Sequence, residues 1–502
     1  MKKYHPLSAA PLLLLALLSG CGGGGGGGGA AAAAPAAGVT PATPATPPVS
    51  TASDWTVLAN RCENPRPGTV DVRGSLMDEL NWLRSFYGET YLWYRELPTN
   101  LRLENYTRAV DFFAVYKTSA VTNSGLPKDR FHFTYPTEVW DASSTSGSEV
   151  GYGISWVVND SGSDWRVATV APASPAALAG VQRGDTLWSV DGVPLTDNSG
   201  AAVNRINAGL FPATVGQHHQ LTLTRPAGGL AISLTAQQVT SPPVQNVKTI
   251  DTPTGKVGYL QFDDHNQVSE SELAKAFTTL KSAGVVDLVL DMRYNGGGYL
   301  AVASELAYMI AGPEASSGKA FERLQFNDKT PPQAPQPFLD KAFGFKGSEL
   351  AGGAALPYLG LKRVTILTTP GTCSASESLI NGLRGIDVEV NLIGGETCGK
   401  PYGFVPADNC GTTYFAIQLQ GANHKGFGDY ADGFQPTCRV GDDFGRALGD
   451  SSERLLSTAL SYRANGICPA QPLMSRARSA SVGSGAMKLV RPRAKEIAIR
   501  DR

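Results

Sequence analysis

Apolar segments that run straight into polar, glycine-rich turns constrain the fold of this chain more than any other feature. Residues 285–290, 364–367 and 390–393 each read as a mostly apolar β-strand. Helical patterns cover residues 270–280 and 299–310, so strands and helices alternate along the chain. Such alternation is typical of an α/β core, which we place at residues 250–468.

The turns after two of these strands carry residues suited to acyl transfer. Residues 371–377 (Gly-Thr-Cys-Ser-Ala-Ser-Glu) offer Ser374 where a strand gives way to a helix, and residues 394–400 (Gly-Gly-Glu-Thr-Cys-Gly-Lys) offer Lys400. A serine hydroxyl is a poor nucleophile until a base takes its proton, and a lysine serves as that base only when burial lowers its pKa. Together the two residues suggest a serine–lysine protease.

The third turn offers backbone donors. Residues 291–298 (Asp-Met-Arg-Tyr-Asn-Gly-Gly-Gly) end in a glycine triplet, which can direct several N–H groups at one point. A developing oxyanion needs such donors. Taken alone, this segment would most often be an ordinary turn or an anion site at a helix start.

Each piece also has a structural explanation. Ser374 to Glu377 fits a capping box, in which Ser374 is the N-cap and Glu377 reaches back to its N–H. Capping and catalysis are compatible, because a serine at a helix N-terminus is exposed and lies near favourable N–H groups. Ser376 is the rival nucleophile, and a lysine such as Lys400 most often lies on a protein surface.

In combination these segments resemble the C-terminal processing (tail-specific) protease family. That family has an Asp-x-Arg-x-Asn-x-Gly-Gly strand end, a Ser-Ala-Ser-Glu nucleophile turn and a Gly-Lys base, with a PDZ domain upstream. The resemblance covers roughly residues 75–465. It implies that Ser374 is the nucleophile, Lys400 the base, and the backbone N–H groups of Gly297 and Ala375 the oxyanion donors, with Gly296 as the alternative to Gly297.

The chain departs from the family pattern near the base. The serine and the lysine are one residue farther apart than the family leads us to expect, and Phe404 stands four residues after Lys400, where a polar residue often orients the lysine. Asp387 and Glu396 are weak candidates for that orienting role. A Ser-His-Asp mechanism is the weaker alternative, because His218, His219 and His265 lack a triad-like context.

The segment upstream of the core resembles a PDZ domain, which we place at residues 146–240. The resemblance rests on residues 151–154 (Gly-Tyr-Gly-Ile), a Ser-Pro-Ala helix start at 174–176 and a Gly-Asp turn at 184–185. PDZ domains bind a peptide C-terminus by adding it as an edge strand. The carboxylate is then expected on backbone N–H groups near Tyr152, Gly153 and Ile154, although a gating role with little peptide affinity is an equal alternative.

The N-terminus is typical of an exported lipoprotein. Two lysines precede a short apolar run, and residues 19–21 (Ser-Gly-Cys) follow it. The run is too short to span a membrane and indicates a signal peptide over residues 1–20. The small residues before Cys21 resemble a lipobox, which implies a lipid on Cys21, and Gly22 is not the aspartate of inner-membrane retention. We therefore expect a lipid anchor in the outer membrane facing the periplasm.

Composition assigns the remaining regions. Residues 21–53 form a Gly, Ala and Pro-rich linker that cannot bury a core, residues 54–145 form a helical domain with aromatic core residues, and residues 469–502 form a basic, solvated tail. The formal net charge of −1 gives no indication of nucleic-acid binding.

Six cysteines remain after Cys21, an even number that permits disulfides in an exported chain. If Ser374 and Lys400 touch, Cys373 and Cys398 lie close enough to bridge. Cys410 with Cys438 and Cys62 with Cys468 would complete the set. Free thiols or a metal site are the alternatives, but no tight Cys-x-x-Cys spacing supports a metal.

The sequence therefore predicts a lipid-anchored serine endopeptidase that acts on exported proteins or their C-terminal tails and needs no metal or cofactor. The alternative from another class is a non-catalytic lipoprotein whose PDZ domain binds peptide C-termini.

Overall fold

The computed structural model describes residues 55–470 and 487–490. The predicted signal peptide, Cys21, the whole linker and most of the tail lie outside these residues. Among the residues that the structure describes, no helix combines the length and hydropathy needed to cross a bilayer.

The N-terminal region is mainly helical. Its elements are α1 (Trp55–Leu58), β1 (Arg61–Cys62), β2 (Val72–Arg73), α2 (Leu76–Thr90), α3 (Ala109–Val115), β3 (Phe133–Pro136) and α4 (Thr137–Ser146), with 3₁₀ turns at Tyr94–Glu96 and Leu103–Asn105. A capping box from Ser75 and Asp78 starts α2. Leu80, Leu83 and Tyr87 lie on the buried face of α2. The residues between α2 and α3 form turns and short 3₁₀ segments.

The next region forms the expected PDZ-like sheet. Its elements are β4 (Ser148–Gly151), β5 (Ile154–Val158), β6 (Trp165–Val170), α5 (Pro175–Leu178), β7 (Thr186–Val190), β8 (Val193–Pro194), α6 (Gly200–Leu210), β9 (His218–Arg225), β10 (Gly228–Thr235) and β11 (Gln237–Thr240). Strands lie in the order β10-β9-β7-β6-β5, and β4 pairs separately with β11. Ser174 caps α5, with Pro175 at its first position.

The core alternates strands and helices, as predicted. Its elements are β12 (Val244–Ile250), β13 (Val257–Phe262), α7 (Ser269–Ser282), β14 (Asp287–Asp291), α8 (Leu300–Ser316), β15 (Ala320–Phe326), β16 (Gln336–Pro337), β17 (Arg363–Thr368), α9 (Ala375–Gly385), β18 (Glu389–Gly394), β19 (Tyr402–Gly403), β20 (Ala407–Asn409), β21 (Thr412–Phe415), β22 (Leu419–Ala422), β23 (Cys438–Arg439) and α10 (Arg454–Asn465).

The main sheet of the core has the order β12-β13-β14-β17-β18-β23 and is parallel from β13 onward. Its strands are buried on both faces, which explains their nearly continuous apolar sequences. Helices α7, α8 and α9 pack on the cluster that includes Leu260, Leu290 and Ile366, while α10 packs on the cluster that includes Val289 and Ile393. The architecture is therefore an α/β core with a β-rich PDZ domain and a helical N-terminal region.

Residues 488–490 in the predicted tail form a further strand, β24 (Lys488–Val490), which pairs antiparallel with β5 at the edge of the PDZ sheet. This strand lies in the segment for which the sequence predicts a solvated basic tail, because pairing with a strand 330 residues earlier leaves no local sign in the sequence. The pairing is a tertiary contact and not a local preference.

Candidate active site

The three predicted turns meet at one edge of the core sheet. Strands β14, β17 and β18 are parallel neighbours, so the turns that follow them leave the sheet side by side. The carboxyl ends of parallel strands form the usual ligand-binding edge of an open α/β sheet. Ser374, Gly297 and Lys400 lie in these turns.

The serine turn is held in a strained conformation. Ser374 has φ 57° and ψ −117°, which non-glycine residues rarely adopt, and it directly precedes α9. Thr372 anchors the turn, since its Oγ1 donates to the Met292 carbonyl (2.8 Å) and accepts from the Thr369 N–H (3.1 Å). Ser374 is half-buried, whereas its rival Ser376 is fully buried with its hydroxyl bonded to the Asn295 carbonyl (3.0 Å). Ser376 thus joins two turns structurally.

The glycine turn packs directly on the serine turn. A Cβ added at Gly297 would lie 2.8 Å from the Ala375 nitrogen and 2.8 Å from the Ser374 Cβ, and Gly297 has a φ of +95°. Its own N–H donates to the Asn295 Oδ1 (2.9 Å). The Ala375 N–H, by contrast, has no hydrogen-bond partner in the part of the chain that the structure describes. This is expected for the first turn of a helix and leaves a donor beside Ser374.

Lys400 is buried and surrounded by aromatic rings. Its exposed fraction is 6%, and its Nζ lies 3.9 Å from the centre of the Phe404 ring and 5.4 Å from that of Phe131. Phe404 therefore contacts the amine at the position where the family pattern led us to expect a polar group. Ring faces attract an ammonium and also keep water away.

Neither carboxylate considered as an orienting group turns toward Lys400. Asp387 is exposed and forms an ion pair with Lys425, and Glu396 lies 4.0 Å from Arg439. A third carboxylate, that of Glu377, makes the predicted capping bond to Ser374 and also bonds to the lysine turn, which the sequence did not suggest.

Glu377 connects the serine turn to the lysine turn. Its Oε2 accepts the Ser374 N–H (3.0 Å) and the Lys400 N–H (2.8 Å), so one oxygen lies between the two backbones. Its Oε1 accepts the Gly399 N–H (2.8 Å) and the Thr397 hydroxyl (2.6 Å). The bond to Ser374 is the Glu377 half of the predicted capping box.

Burial and hydrogen bonding act in opposite directions on this carboxyl. Burial raises the pKa of Glu377, and the hydrogen bonds from Thr397, Lys400, Gly399 and Ser374 act to lower it. Because each of these groups is a donor, the carboxylate form satisfies them all. The capping motif predicts the bond from Glu377 to the serine turn, because that bond is local in sequence. It does not predict the bonds to Thr397, Gly399 and Lys400 in the lysine turn.

Arg130 holds the lysine turn from the opposite side. Its Nη2 donates to the carbonyls of Cys398 (2.9 Å), Gly399 (3.3 Å) and Ala431 (2.9 Å). The turn before Lys400 is thus fixed through its N–H groups by Glu377 and through its carbonyls by Arg130. No local pattern indicates this role, since Arg130 lies 268 residues from Cys398.

The disulfides confirm one predicted pairing and correct two. Cys373 and Cys398 are bridged with a Cα–Cα distance of 5.1 Å, which ties the serine turn to the lysine turn. The pairs Cys410–Cys438 and Cys62–Cys468 were wrong, because Cys62 bridges Cys410 and Cys438 bridges Cys468. The reason is topological. Cys410 lies just before β21, which pairs with β3 of the N-terminal region, and Cys62 belongs to that region. Cys438 lies on β23 and Cys468 follows α10, and both elements pack on β18.

These pairings also bear on metal binding. Within the described residues, the groups of side chains close enough to share an ion are Cys62 with Glu79 and Cys410, and Cys373 with Glu377 and Cys398. In both groups the sulfurs are joined in a disulfide, so neither offers the thiolates that a zinc site uses.

The predicted histidines have partners away from Ser374. His218 contacts Thr235, His219 contacts Asp191, and His265 contacts the Asn295 side chain at 2.9 Å. The first two lie in the PDZ sheet. His265 lies behind the glycine turn, where its main chain pairs with Gly298.

The PDZ turn has backbone donors to offer. The carbonyls of Tyr152 and Gly153 accept N–H groups from Ala176 and Ala171. Their own N–H groups have no hydrogen-bond partner within the described residues, and Ile154 begins β5. Gly153 has a φ of +78°, and a Cβ there would lie 2.4 Å from the Ser174 Cβ. Glycine therefore allows the tight turn that exposes these donors.

A buried ionic network joins the PDZ domain to the glycine turn. Arg183 of the PDZ domain donates to the Tyr294 hydroxyl (2.6 Å) and to Asp442 (2.7 Å), and Arg293 also donates to Asp442 (2.7 Å). Burial opposes ionisation of Asp442, but the guanidinium groups of Arg293 and Arg183 prevail and lower its pKa. Arg293 further binds Asp291 (2.9 Å) and Glu453 (3.0 Å). The PDZ domain thus contacts the residues next to Asn295 directly.

Two protein families have sequence patterns that match this chain. The pattern of Peptidase family S41 matches residues 256–409, and that of the PDZ domain matches residues 166–203. The chloroplastic C-terminal processing peptidase of Tetradesmus obliquus is 28% identical over 333 residues, which cover 63% of this chain and 64% of that protein. The carboxy-terminal processing protease CtpA of Bacillus subtilis is 25% identical over 47% of this chain and 45% of its own length.

The fold has a counterpart among solved structures. A putative S41 protease from Bacteroides fragilis superposes with a TM-score of 0.58 at 24% identity, over 77% of this chain and 97% of that one. The matched part of this chain spans less than two thirds of the length of its curated relatives. Ser374, Gly297 and Lys400 all fall within the matched S41 segment. The chain thus resembles Peptidase family S41 over its core and the PDZ domain over the segment before it, and the relatives it matches are C-terminal processing peptidases.

Proposed function

We propose that this protein is a serine endopeptidase in which Ser374 and Lys400 form the catalytic dyad. The observation that carries the proposal is the Glu377 Oε2 atom, which accepts the backbone N–H groups of both Ser374 and Lys400. A strained serine and a buried lysine are thereby held next to each other at the edge of the sheet. A purely structural capping box would not require the lysine turn to join it.

The reaction follows from these positions. The Ser374 hydroxyl attacks a peptide carbonyl carbon while neutral Lys400 takes its proton, and the tetrahedral intermediate carries an oxyanion. The Ala375 N–H stabilises that oxyanion, together with Gly297 or its alternative Gly296. Lys400 then protonates the departing amine, and water hydrolyses the acyl-enzyme by the same route in reverse. For Gly297 to donate, its N–H must leave the Asn295 Oδ1.

The substrates of this reaction are peptide segments delivered by the PDZ domain. Tyr152, Gly153 and Ile154 would bind a substrate's C-terminal carboxylate through their N–H groups, while the chain adds to the β5 edge. We place the enzyme in the bacterial cell envelope, anchored by a lipid on Cys21 and facing the periplasm, with exported proteins or their C-terminal tails as substrates.

Labelling with a fluorophosphonate distinguishes this enzyme from a non-catalytic PDZ lipoprotein. We expect the folded protein to be labelled at Ser374, and the Ser376→Ala control to retain labelling. Lys400→Ala and Lys400→Arg should both abolish peptide cleavage, because an arginine stays protonated at working pH. Absence of labelling on Ser374 in folded protein, or robust cleavage by either Lys400 variant, would contradict the dyad.

The anchor has a separate test. Cys21→Ser should release the protein from the membrane fraction into the soluble periplasmic fraction, since the lipid is the proposed anchor. A Cys21→Ser protein that stays membrane-bound would refute the lipidation.

A further inference from the structure

The edge of the PDZ sheet at which a peptide would bind is already occupied by the chain itself. In the antiparallel pair of β24 and β5, Lys488 lies opposite Val158, Leu489 opposite Val157 and Val490 opposite Trp156. On its other side β5 pairs with β6, so β24 takes the strand's remaining edge.

The direction of β24 is that of a PDZ ligand. From Lys488 to Val490 the chain runs toward the start of β5, where Tyr152 and Gly153 offer their N–H groups. A peptide whose C-terminal carboxylate is bound at that turn must run the same way. Because β24 pairs with residues 156–158, it covers the part of the edge farther from the turn.

The side chains of β24 alternate between two sites. Val490 packs on the PDZ core, in the cluster that also contains Ile154, Trp156 and, at the end of α6, Phe211. Leu489 packs with Val157 and Tyr294 on the side that faces the protease core. This alternation is that of an edge strand with one face toward each domain.

Leu489 also lies against the serine turn. A Cβ added at Gly371 would be 3.4 Å from the Leu489 Cβ, and Gly371 precedes Ser374 by three residues. The segment therefore contacts both the PDZ edge and the start of the serine turn at Gly371. A strand that served only to cover an exposed edge would not need this second contact.

The attachment is weak enough to exchange. Within the described residues it consists of a three-residue ladder and the apolar side chains of Met487, Leu489 and Val490, since the ion pair between Lys488 and Asp160 is exposed on both sides and contributes little. A longer substrate segment can form the same ladder and extend it to Ile154 and the N–H groups of the turn.

We propose that residues 487–490 are a built-in ligand of the PDZ domain, which substrate tails must displace from the β5 edge. The competition with substrates rests on the proposed peptidase function, whereas the binding of residues 487–490 to the β5 edge does not. It also indicates the substrates favoured by this edge: extended tails with aliphatic side chains at the two positions taken by Leu489 and Val490.

The first test measures peptide binding without catalysis. The probe is a fluorescent hexapeptide with the sequence of residues 485–490, Gly-Ala-Met-Lys-Leu-Val, ending in a free carboxylate, and the protein is full-length Ser374→Ala. Adding Leu489→Asp and Val490→Asp should free the edge and lower the apparent dissociation constant about tenfold or more, because the edge is then available in a larger fraction of molecules. Val215→Asp, at an exposed valine of the PDZ region, is the matched control.

A second variant keeps the test decisive if the substitutions disturb folding. A chain that stops after Ala470 lacks β24, so we expect it to bind the hexapeptide as tightly as the double variant and to show faster amide hydrogen exchange over residues 154–158. Affinity unchanged or lower in both variants would overturn the proposal, and so would loss of stability without any gain in binding, which would mark β24 as a structural cover.

Activity assays separate this proposal from the proposed function. With Ser374 intact, removing β24 should increase cleavage of a peptide that ends in Leu-Val, and the hexapeptide added in trans should inhibit the truncated enzyme competitively. Tighter binding in a protein that cleaves nothing would refute the peptidase function and leave the internal ligand standing. An active enzyme whose affinity for the hexapeptide and whose cleavage rate do not change when β24 is removed would refute the internal ligand but not the peptidase function.

Discussion

The Oε2 atom of Glu377 accepts the backbone N–H of Lys400 at 2.8 Å, and the same atom accepts the N–H of Ser374 at 3.0 Å. The proposed nucleophile and base are therefore placed relative to each other through one carboxylate oxygen that accepts both of their backbone N–H groups. Such a residue acts by position, because catalysis by aligned groups loses heavily from displacements of an ångström.

Glu377→Gln should separate the two turns. The amide keeps one acceptor oxygen, but its NH₂ group faces backbone donors and cannot bond to them. We expect kcat to fall by about 100-fold and the free energy of unfolding by about 1–3 kcal/mol, as for buried donors left unpaired. Steady-state kinetics and urea unfolding measure the two effects. Glu389→Gln, at an exposed position of β18, is the control, and full activity of Glu377→Gln would refute the role.

Gly297→Ala should inactivate the enzyme by displacing the serine turn. The new Cβ would lie 2.8 Å from backbone atoms of Ala375 and Cys373, which cannot move aside independently, and φ at this position is +95°. Gly192→Ala is the control, because its φ is also positive and no atom lies within 4 Å of its Cβ position. Loss of fluorophosphonate labelling in the first variant and its retention in the second are expected. Normal labelling of Gly297→Ala would contradict the close packing of the two turns.

Arg130→Gln should loosen the lysine turn from its carbonyl side. The shorter neutral side chain cannot reach the carbonyls of Cys398, Gly399 and Ala431 together, so the Lys400 amine loses its fixed position. We expect kcat to fall about tenfold and its pH profile to shift, with KM nearly unchanged. Arg102→Gln, at an exposed arginine, should change neither. A loss of thermal stability with an unaltered kcat and pH profile would mean that Arg130 is only structural.

The Cys373–Cys398 disulfide should matter more for activity than for stability. Cys373→Ala with Cys398→Ala frees the serine turn from the lysine turn, whereas Cys438→Ala with Cys468→Ala opens a bridge of similar loop length, 30 against 25 residues, at β23 and α10. The loop-entropy contributions of the two bridges are then nearly equal. We expect similar decreases in Tm but a much larger loss of kcat for the first pair. Equal kcat values in the two double variants would refute a catalytic role for the bridge.

Stability should fall with rising pH through the titration of Glu322. Burial raises the pKa of this carboxyl from 4.5 to about 7, although the hydrogen bond from Ser378 acts in the other direction. The folded state therefore holds the proton more tightly, and the stability this contributes is complete below about pH 4.5 and lost as pH rises through about 7.

Glu322→Gln isolates that contribution. The neutral amide should match the wild type at pH 5 and exceed it at pH 8 by up to about 3 kcal/mol in the free energy of unfolding. Chemical denaturation at a series of pH values checks the difference, with Glu104→Gln at an exposed site as control. A difference that does not change with pH would show that Glu322 does not titrate in this range.

The sequence predicted those features that depend on local pattern. The strands β14, β17 and β18, the serine at the start of α9 and the cysteine pair beside it all follow from apolar runs and the turns after them. The residues that fix Lys400 could not be found in this way. Arg130 and Phe131 reach the lysine turn from a different region, and the second set of Glu377 bonds depends on how β17 and β18 pair.

Long-range pairing also explains the errors. The cysteine partners were exchanged because spacing along the chain says nothing about the packing of β21 on β3. The turns between α2 and α3 leave no local sign either, because Trp93 in these turns packs on Tyr402 from a distant part of the chain. Likewise β24 is a strand because β5 offers it an edge, and not because three residues of that sequence would be extended alone.

The bridge from Cys62 to Cys410 imposes an order on biogenesis. Its partners are 348 residues apart, so a chain that crosses a membrane N-terminus first brings Cys62 out long before Cys410 arrives. The bridge beside Ser374 likewise waits for Cys398. During most of the crossing Ser374 has either not yet passed the membrane or is not yet joined to the lysine turn by the Cys373–Cys398 disulfide. If the chain is exported as proposed, its site is completed only after Cys398 has crossed, so we expect peptidase activity at the end of translocation, in an oxidising compartment and away from the proteins of the cell interior.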